Sequence, residues 1–350
     1  YRSMSNLPPS GEIPRGAIRF NTDSNKLELW DGSQWAEFQL STPNLAQTGD
    51  VTLGARGFAA GGGPGSSNVI TAVNLASAGR NFDFANLTNN TRSGGCGSSN
   101  TRAIAGGGID PSSRTNVINI WTMASQSDAI DFGDLVDTVR STTGVSNSVR
   151  VTFAGGLDDP TLHNDIQTVL FASQGGTIDF GALTDARSHT AGIANPVRAV
   201  IAGGEEPSKI STMDFFILAT GNDAQEFGDL SSGRSSITPT GDTTRGVFMG
   251  GEEPAFTDVM EYVTFSTTGN TTHFGDLSSR AKRSGSSSSN CVRGFYFGGS
   301  NNTPSSNTMF DDCDAIIIQE QSNSIDFGDL HTTTHGFACT GVISNGHGGL

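Results

Sequence analysis

A chain of 350 residues with 46 glycines and a formal charge of −15 is acidic and rich in turns, and its 20 Lys and Arg argue against a phosphate-binding, nucleic-acid groove. The longest strictly apolar run, Phe215 to Ala219, is far short of the roughly 20 residues a membrane helix needs, so membrane insertion is not expected. Four cysteines, Cys96, Cys291, Cys313 and Cys339, show neither a CxxC pair nor a Cys/His metal spacing and read as free, buried thiols.

Residues 1–43 differ from the rest. Nothing from Tyr1 to Gly16 reads as the apolar segment of a secretory signal. After Pro8, Pro9 and Pro14, the stretch Gly16-Ala17-Ile18-Arg19-Phe20 alternates apolar and polar side chains, and Lys26-Leu27-Glu28-Leu29-Trp30 does so again beyond a turn-rich Asn21 to Asn25. Asp31-Gly32 suits a tight turn with positive φ and leads into Gln34-Trp35-Ala36-Glu37-Phe38. The reading is a three-stranded β-meander. A sheet of about 25 residues is marginal alone, so Trp30, Trp35 and Phe38 are expected to bury against a partner, preferably copies of the same module. Ser41-Thr42-Pro43-Asn44 breaks the pattern as a linker.

The run Gly16-Ala17-Ile18-Arg19-Phe20 through Leu27-Glu28-Leu29-Trp30-Asp31-Gly32-Ser33-Gln34-Trp35 resembles a short module common in tail-fibre and other virion proteins of bacteriophages. The resemblance covers under a tenth of the chain. It implies a structural role: a β-rich connector, residues 1–43, joining other virion proteins to a distal domain, residues 44–350. It further implies a virion location in the tail or fibre after assembly in the host cytoplasm, and a homo-oligomer, with a trimer as one fitting form.

From about residue 45 one unit is written six times. Its marker is Phe84-Ala85-Asn86-Leu87, Phe132-Gly133-Asp134-Leu135, Phe180-Gly181-Ala182-Leu183, Phe227-Gly228-Asp229-Leu230, Phe274-Gly275-Asp276-Leu277 and Phe327-Gly328-Asp329-Leu330, with the Phe positions 48, 48, 47, 47 and 53 residues apart. In every copy an Arg opens an apolar strand that ends in Gly-Gly, as in Arg198 to Gly204; a loop follows, then a second strand such as Val259 to Val263, the marker strand, and a fourth segment such as Arg187 to Asn195. Four short strands per period make one propeller blade, so the predicted fold is all-β, a six-bladed β-propeller behind the N-terminal meander. A diglycine closing an inner strand resembles the kelch repeat; the Phe of the marker stands where kelch repeats carry Tyr and Trp, which weakens any transfer of kelch partners or activity. The segment Thr334 to Cys339 aligns with Thr91 to Cys96, and the C-terminus is therefore expected to pair beside Arg56 to Gly61 and seal the ring.

The marker Phe reads as a wedge between blades, and the following Asp as an acceptor for backbone N–H groups or a scaffold Arg. Three copies spell Asp-Phe-Gly, the metal-holding triplet of kinases, but no glycine-rich loop or catalytic-loop motif accompanies them. His163, His189, His273, His331, His335 and His347 fall at unrelated repeat positions and give no metal pattern, and no Ser-His-Asp set can be picked out. The loops after the diglycines carry Asp110, Asp158, Asp159, Glu205, Glu206, Glu252 and Glu253, just before Pro111, Pro160, Pro207 and Pro254. Repeat geometry places these carboxylates on one face, as a solvated rim or as a ligand-binding face, with Ca²⁺ bridging to sugar hydroxyls as the sharper form of the second reading. The functional expectation is a non-enzymatic virion component that recognises a host-surface glycan or protein. A structural tail or capsid decoration and a glycan-degrading propeller are the alternatives.

Overall fold

The computed structural model describes residues 14–21, 26–30, 32–37, 56–63, 65–76, 81–110, 112–303, 306–330 and 339–345. The chain divides into two compact units, Tyr1–Thr52 and Leu53–Leu350. The first holds an antiparallel meander, Ile18–Asn21, Lys26–Trp30 and Trp35–Glu37. Gly32 takes φ +103° in the second turn. Trp30 is buried with its ring 5.5 Å from that of Trp35, and the Arg19 guanidinium lies over Trp35 while bonding Glu28 at 2.7 Å. Phe38, expected to join this cluster, lies outside the described residues.

The second unit is a six-bladed propeller. Five blades are four-stranded antiparallel sheets, and the sheet of the first, Arg56–Ala60, Ser67–Asn74 and Asn81–Thr91, has three named strands. Blade 4 shows the pattern, from the axis outward: Ala191–Ala194, Arg198–Ala202, Thr212–Ile217 and Gln225–Asp229. The diglycine strand, read from sequence as the inner one, is second from the axis. The innermost strand is the short fourth segment of the preceding repeat, which is donated forward to the next blade.

Both faces of each sheet are buried, so successive side chains along a strand feed opposite junctions. In Arg198–Ala202, Ala199 and Ile201 join the cluster shared with blade 3, whereas Val200 and Ala202 join the cluster shared with blade 5. Six such clusters fill the six junctions, the one between blades 6 and 1 included, where Phe295, Phe297 and Phe327 pack with Val73 and Leu75. All six marker Phe residues are buried in them, which makes the expected wedge a fact of the packing; each contributes about 1.5–3 kcal/mol. The Arg that opens each second strand is a staple: Arg102, Arg198 and Arg245 donate to the carbonyls of Phe171, Phe265 and Ile318 in the following blade at 2.6, 2.6 and 2.9 Å.

Residues 339–345 supply the innermost position of blade 1. Cys339 N–H donates to Ala60 O and Phe58 N–H to Ile343 O, and Gly57 bridges Ser344. Between Ala60 and Gly57 a regular strand would need three steps; the terminal segment takes five, from Cys339 to Ser344. The surplus is pushed across the axis. Thr340 O accepts from Cys96 N–H of blade 2 and Gly144 N–H of blade 3, Ser287 of blade 6 donates to Gly341 O, and Val342 packs with the cluster of blades 4 and 5. The centre of the propeller is filled by its own C-terminal segment.

Candidate functional site

At one end of the axis, five equivalent residues, Ser93, Ser141, His189, Ser236 and Ser284, hold left-handed φ values of 56, 56, 56, 55 and 57°. This conformation turns each N–H toward the preceding blade: Ser141 donates to Ser93 O, His189 to Ser141 O, Ser236 to His189 O and Ser284 to Ser236 O, at 2.6–2.9 Å. The girdle is made by backbone, so its side chains are free to vary. They enclose, with Thr190 and with Thr340 of the terminal segment, a cavity of about 20 Å³.

One step outward, the diglycine in each blade swings the chain sideways so that the following residue pairs back. Arg92 bridges Ile109, Arg140 bridges Leu157, Ser188 bridges Glu205, Ser235 bridges Glu252 and Arg283 bridges Ser300. The acidic loops therefore surround the mouth on one face, as the repeat geometry implies. Asp110 and Glu206 sit in two-residue ladders opposite Ser113 and Ser208. Asp158 and Asp159 meet Arg114 at 3.2 and 2.6 Å, and Asp159 also meets Arg140 at 3.1 Å. Hydrogen bonds from Arg140 and Arg114 hold the Asp159 carboxyl below its ordinary range. Glu252 is gripped by Lys209 at 2.7 Å and by Arg283, and Glu253 by the Ser232 hydroxyl. Glu205 accepts from Ser235 Oγ at 2.9 Å and stands 3.7 Å from His189 Nδ1.

Most of the rim carboxylates thus face cations from a neighbouring blade, and the face is a mixed-charge lattice. A calcium ion asks for six to eight oxygens; here Arg114, Arg140, Lys209 and Arg283 already occupy those of Asp158, Asp159 and Glu252. These basic partners were not singled out in the sequence, because an Arg or Lys in a loop carries no signal until its neighbour in the next blade is known.

Two further groups gather metal-ligating side chains. His163 Nδ1 lies 3.1 Å from Asp165 and 3.9 Å from Asp137. Its Nε2 is enclosed without a partner, so a metal on Nδ1 would drive the proton to a nitrogen that has no acceptor; the arrangement suits a His–carboxylate pair. In Asp311, Asp312 and Asp329, Arg280 already holds Asp312 at 2.8 Å. The marker Asp shows no Arg partner among the described ion pairs; instead the Asp before the Phe turns the strand, as Asp131, Asp179 and Asp326 accept the N–H of Gly133, Gly181 and Gly328.

What the sequence left scattered, the fold brings together at His189. Its Nε2 is 3.0 Å from Ser141 Oγ and its Nδ1 is 2.9 Å from Ser188 Oγ. Burial lowers its pKa below the ordinary imidazole value, Glu205 opposes this, and Arg140 and Arg283 reinforce it. The signal was present in the repeat: a His in a column otherwise filled by Ser. The chain matches no protein-family model and no curated protein.

Proposed function

We propose that this protein is a bacteriophage tail or tail-fibre component whose propeller binds a host-surface glycan through its loop-bearing face. The observation that carries the reading is a cleft of about 580 Å³ between the diglycine loops of blades 4 and 5, lined by Glu205, Pro207, Ser208, Lys209, Glu253 and Pro254 among others. Carboxylates, an ammonium group and a hydroxyl beside apolar ring faces are the mixture a saccharide needs, and the girdle and buried junctions hold these loops on a rigid frame. The resemblance of residues 16–35 to virion connectors supports the setting. Repeated weak sites on an oligomer bind firmly through multivalency.

Two measurements test it. Antibody against residues 53–350 should label the free ends of fibres on intact particles in electron micrographs; no label on the particle removes the virion assignment. The full chain should retain host polysaccharide on a sensor surface, and Glu205→Gln with Glu253→Gln should weaken binding at least tenfold; equal retention by the variant overturns the cleft as the site. Chelator sensitivity in the same assay reports whether calcium bridges the sugar.

The second reading, a structural decoration that holds neighbouring virion subunits, draws on the opposite face. There Val149, Val197 and Val292 recur at the hairpins between inner and second strands, and Ile130, Ile178 and Ile325 at the starts of outer strands, all more than half exposed. Label confined to the tail body would favour it.

A further inference from the structure

We propose that Ser141, His189 and Glu205 form a serine-hydrolase site for short-chain acyl esters at the mouth of the propeller axis. The geometry is that of a nucleophile, a base and an orienting carboxylate. Ser141 Oγ is 3.0 Å from His189 Nε2, and Glu205 Oε2 is 3.7 Å from Nδ1, which Ser188 Oγ also engages at 2.9 Å. The imidazole is thereby fixed at both nitrogens, and Glu205 is itself fixed by Ser235. Nothing in the fold demands this His. Four of the five girdle positions are Ser, and the girdle bonds use backbone alone.

The neighbouring cavity of about 20 Å³ has room for one water-sized centre. It suits the oxyanion of a tetrahedral intermediate. Thr190, which lines it, is 2 % exposed and its hydroxyl has no hydrogen-bond partner, so a donor is already desolvated there. The small space limits the acyl group to acetyl size and leaves the alcohol portion over the open face. Burial keeps the imidazole in its neutral, proton-accepting form near pH 7.

The reaction balances with water as the only co-reactant. His189 Nε2 takes the Ser141 proton as Oγ bonds to the ester carbonyl carbon. The tetrahedral intermediate collapses with cleavage of the C–O bond, and the alcohol leaves with the proton from His189. Water then attacks the acyl-serine, giving its proton to His189, and the carboxylic acid departs as Ser141 regains a proton.

The test uses the full chain and soluble probes, so its outcome is independent of the glycan and virion reading. Phenylmethylsulfonyl fluoride should leave one adduct, mapped by peptide mass to Ser141, and p-nitrophenyl acetate should be hydrolysed with saturation. His189→Ser, which installs the residue of the equivalent positions and preserves the girdle, should lower turnover at least 100-fold and abolish the adduct. Glu205 acts through His189 and is a positioning residue. The charged groups facing His189 are Glu205, Asp159, Arg140 and Arg283; removing the Glu205 charge in Glu205→Gln should move the acid limb of the pH–rate profile to lower pH, an effect a purely structural carboxylate would not produce. An unmodified Ser141 in the wild type, or equal turnover by wild type and His189→Ser, overturns the proposal and leaves the Ser141–His189 contact as a ring hydrogen bond.

Discussion

Arg187, Arg234 and Lys282 occupy one column of the repeat and are wholly buried, each against a carboxylate of the next blade: Asp214 at 2.7 Å, Glu261, and Asp314 at 2.8 Å. Where the column holds Val139 or Thr91, the opposing residue is an amide, Gln167 or Asn119. The chain has matched charge with charge and neutral with neutral inside its own repeat. All of these acceptors share a second task, since Asn119, Gln167, Asp214 and Glu261 accept the N–H of the residue after the marker Leu in the blade before. Breaking one buried partner leaves an uncompensated charge, whereas replacing both does not. Arg187→Val should therefore cost about 3–5 kcal/mol in urea unfolding, and Arg187→Val with Asp214→Gln, the pair blade 3 uses, should recover most of it. His189 gives a pH dependence of definite sign. Its folded pKa lies below the ordinary 6.5, so as pH falls through about 6.5 the unfolded chain takes a proton that the folded chain refuses, and stability drops. Between pH 7.5 and 5.5 the melting temperature of the wild type should fall more than that of His189→Ser; parallel curves would mean that His189 is protonated in place without cost.

At the scale of strands and turns, the second and third strands were legible because each sheet is buried on both faces, which leaves apolar runs such as Ala199-Val200-Ile201-Ala202. The innermost strands were not. They converge on the axis, where only small side chains fit, and Ser286–Ser289 is wholly buried although it contains nothing but serine. Its hydroxyls are satisfied across the axis, Ser287 and Ser288 on Gly341 O and Ile343 O, and Ser289 on Gly241 O. No hydropathy pattern reveals a core of this kind, and the diglycine strand was assigned the inner place for that reason. The His189 site was hidden likewise, because its members come from two blades and only the ring brings them together. The marker glycine was legible as a close approach, and its neighbour is now defined. Gly228 has φ +149°, and a Cβ there would stand 2.3 Å from Gly269 O of the next blade, whose N–H donates to Phe227 O at 2.7 Å. Gly228→Ala should cost about 1–3 kcal/mol, while Gly65→Ala, whose Cβ meets open space, should change the urea midpoint little.

For the whole molecule, ring closure depends on two different devices that meet at blade 1. The apolar junction between blades 6 and 1 is made by Phe295, Phe297, Phe327, Val73 and Leu75, all contributed by second, third and outer strands. The polar centre is made by residues 339–345, which reach blades 1, 2, 3 and 6 through backbone and hydroxyl bonds and bury Cys339, Val342 and Ile343. Removing residues 331–350 leaves the first device intact and deletes the second. The Phe58 N–H and the Ala60 O would lose their partners, an unpaired edge would open beside Arg56–Ala60, and the axis would flood. Because no blade can bury its own faces alone, the loss is not confined to blade 1. The truncated chain should aggregate or lose its cooperative melt, and a synthetic peptide of residues 331–350 added in excess should restore the transition with a midpoint that rises with peptide concentration, as mass action requires of a ligand that binds only the folded ring. A truncated chain that melts like the full-length protein, with or without peptide, would show that the six apolar junctions close the propeller by themselves and that the terminal segment merely fills a hole.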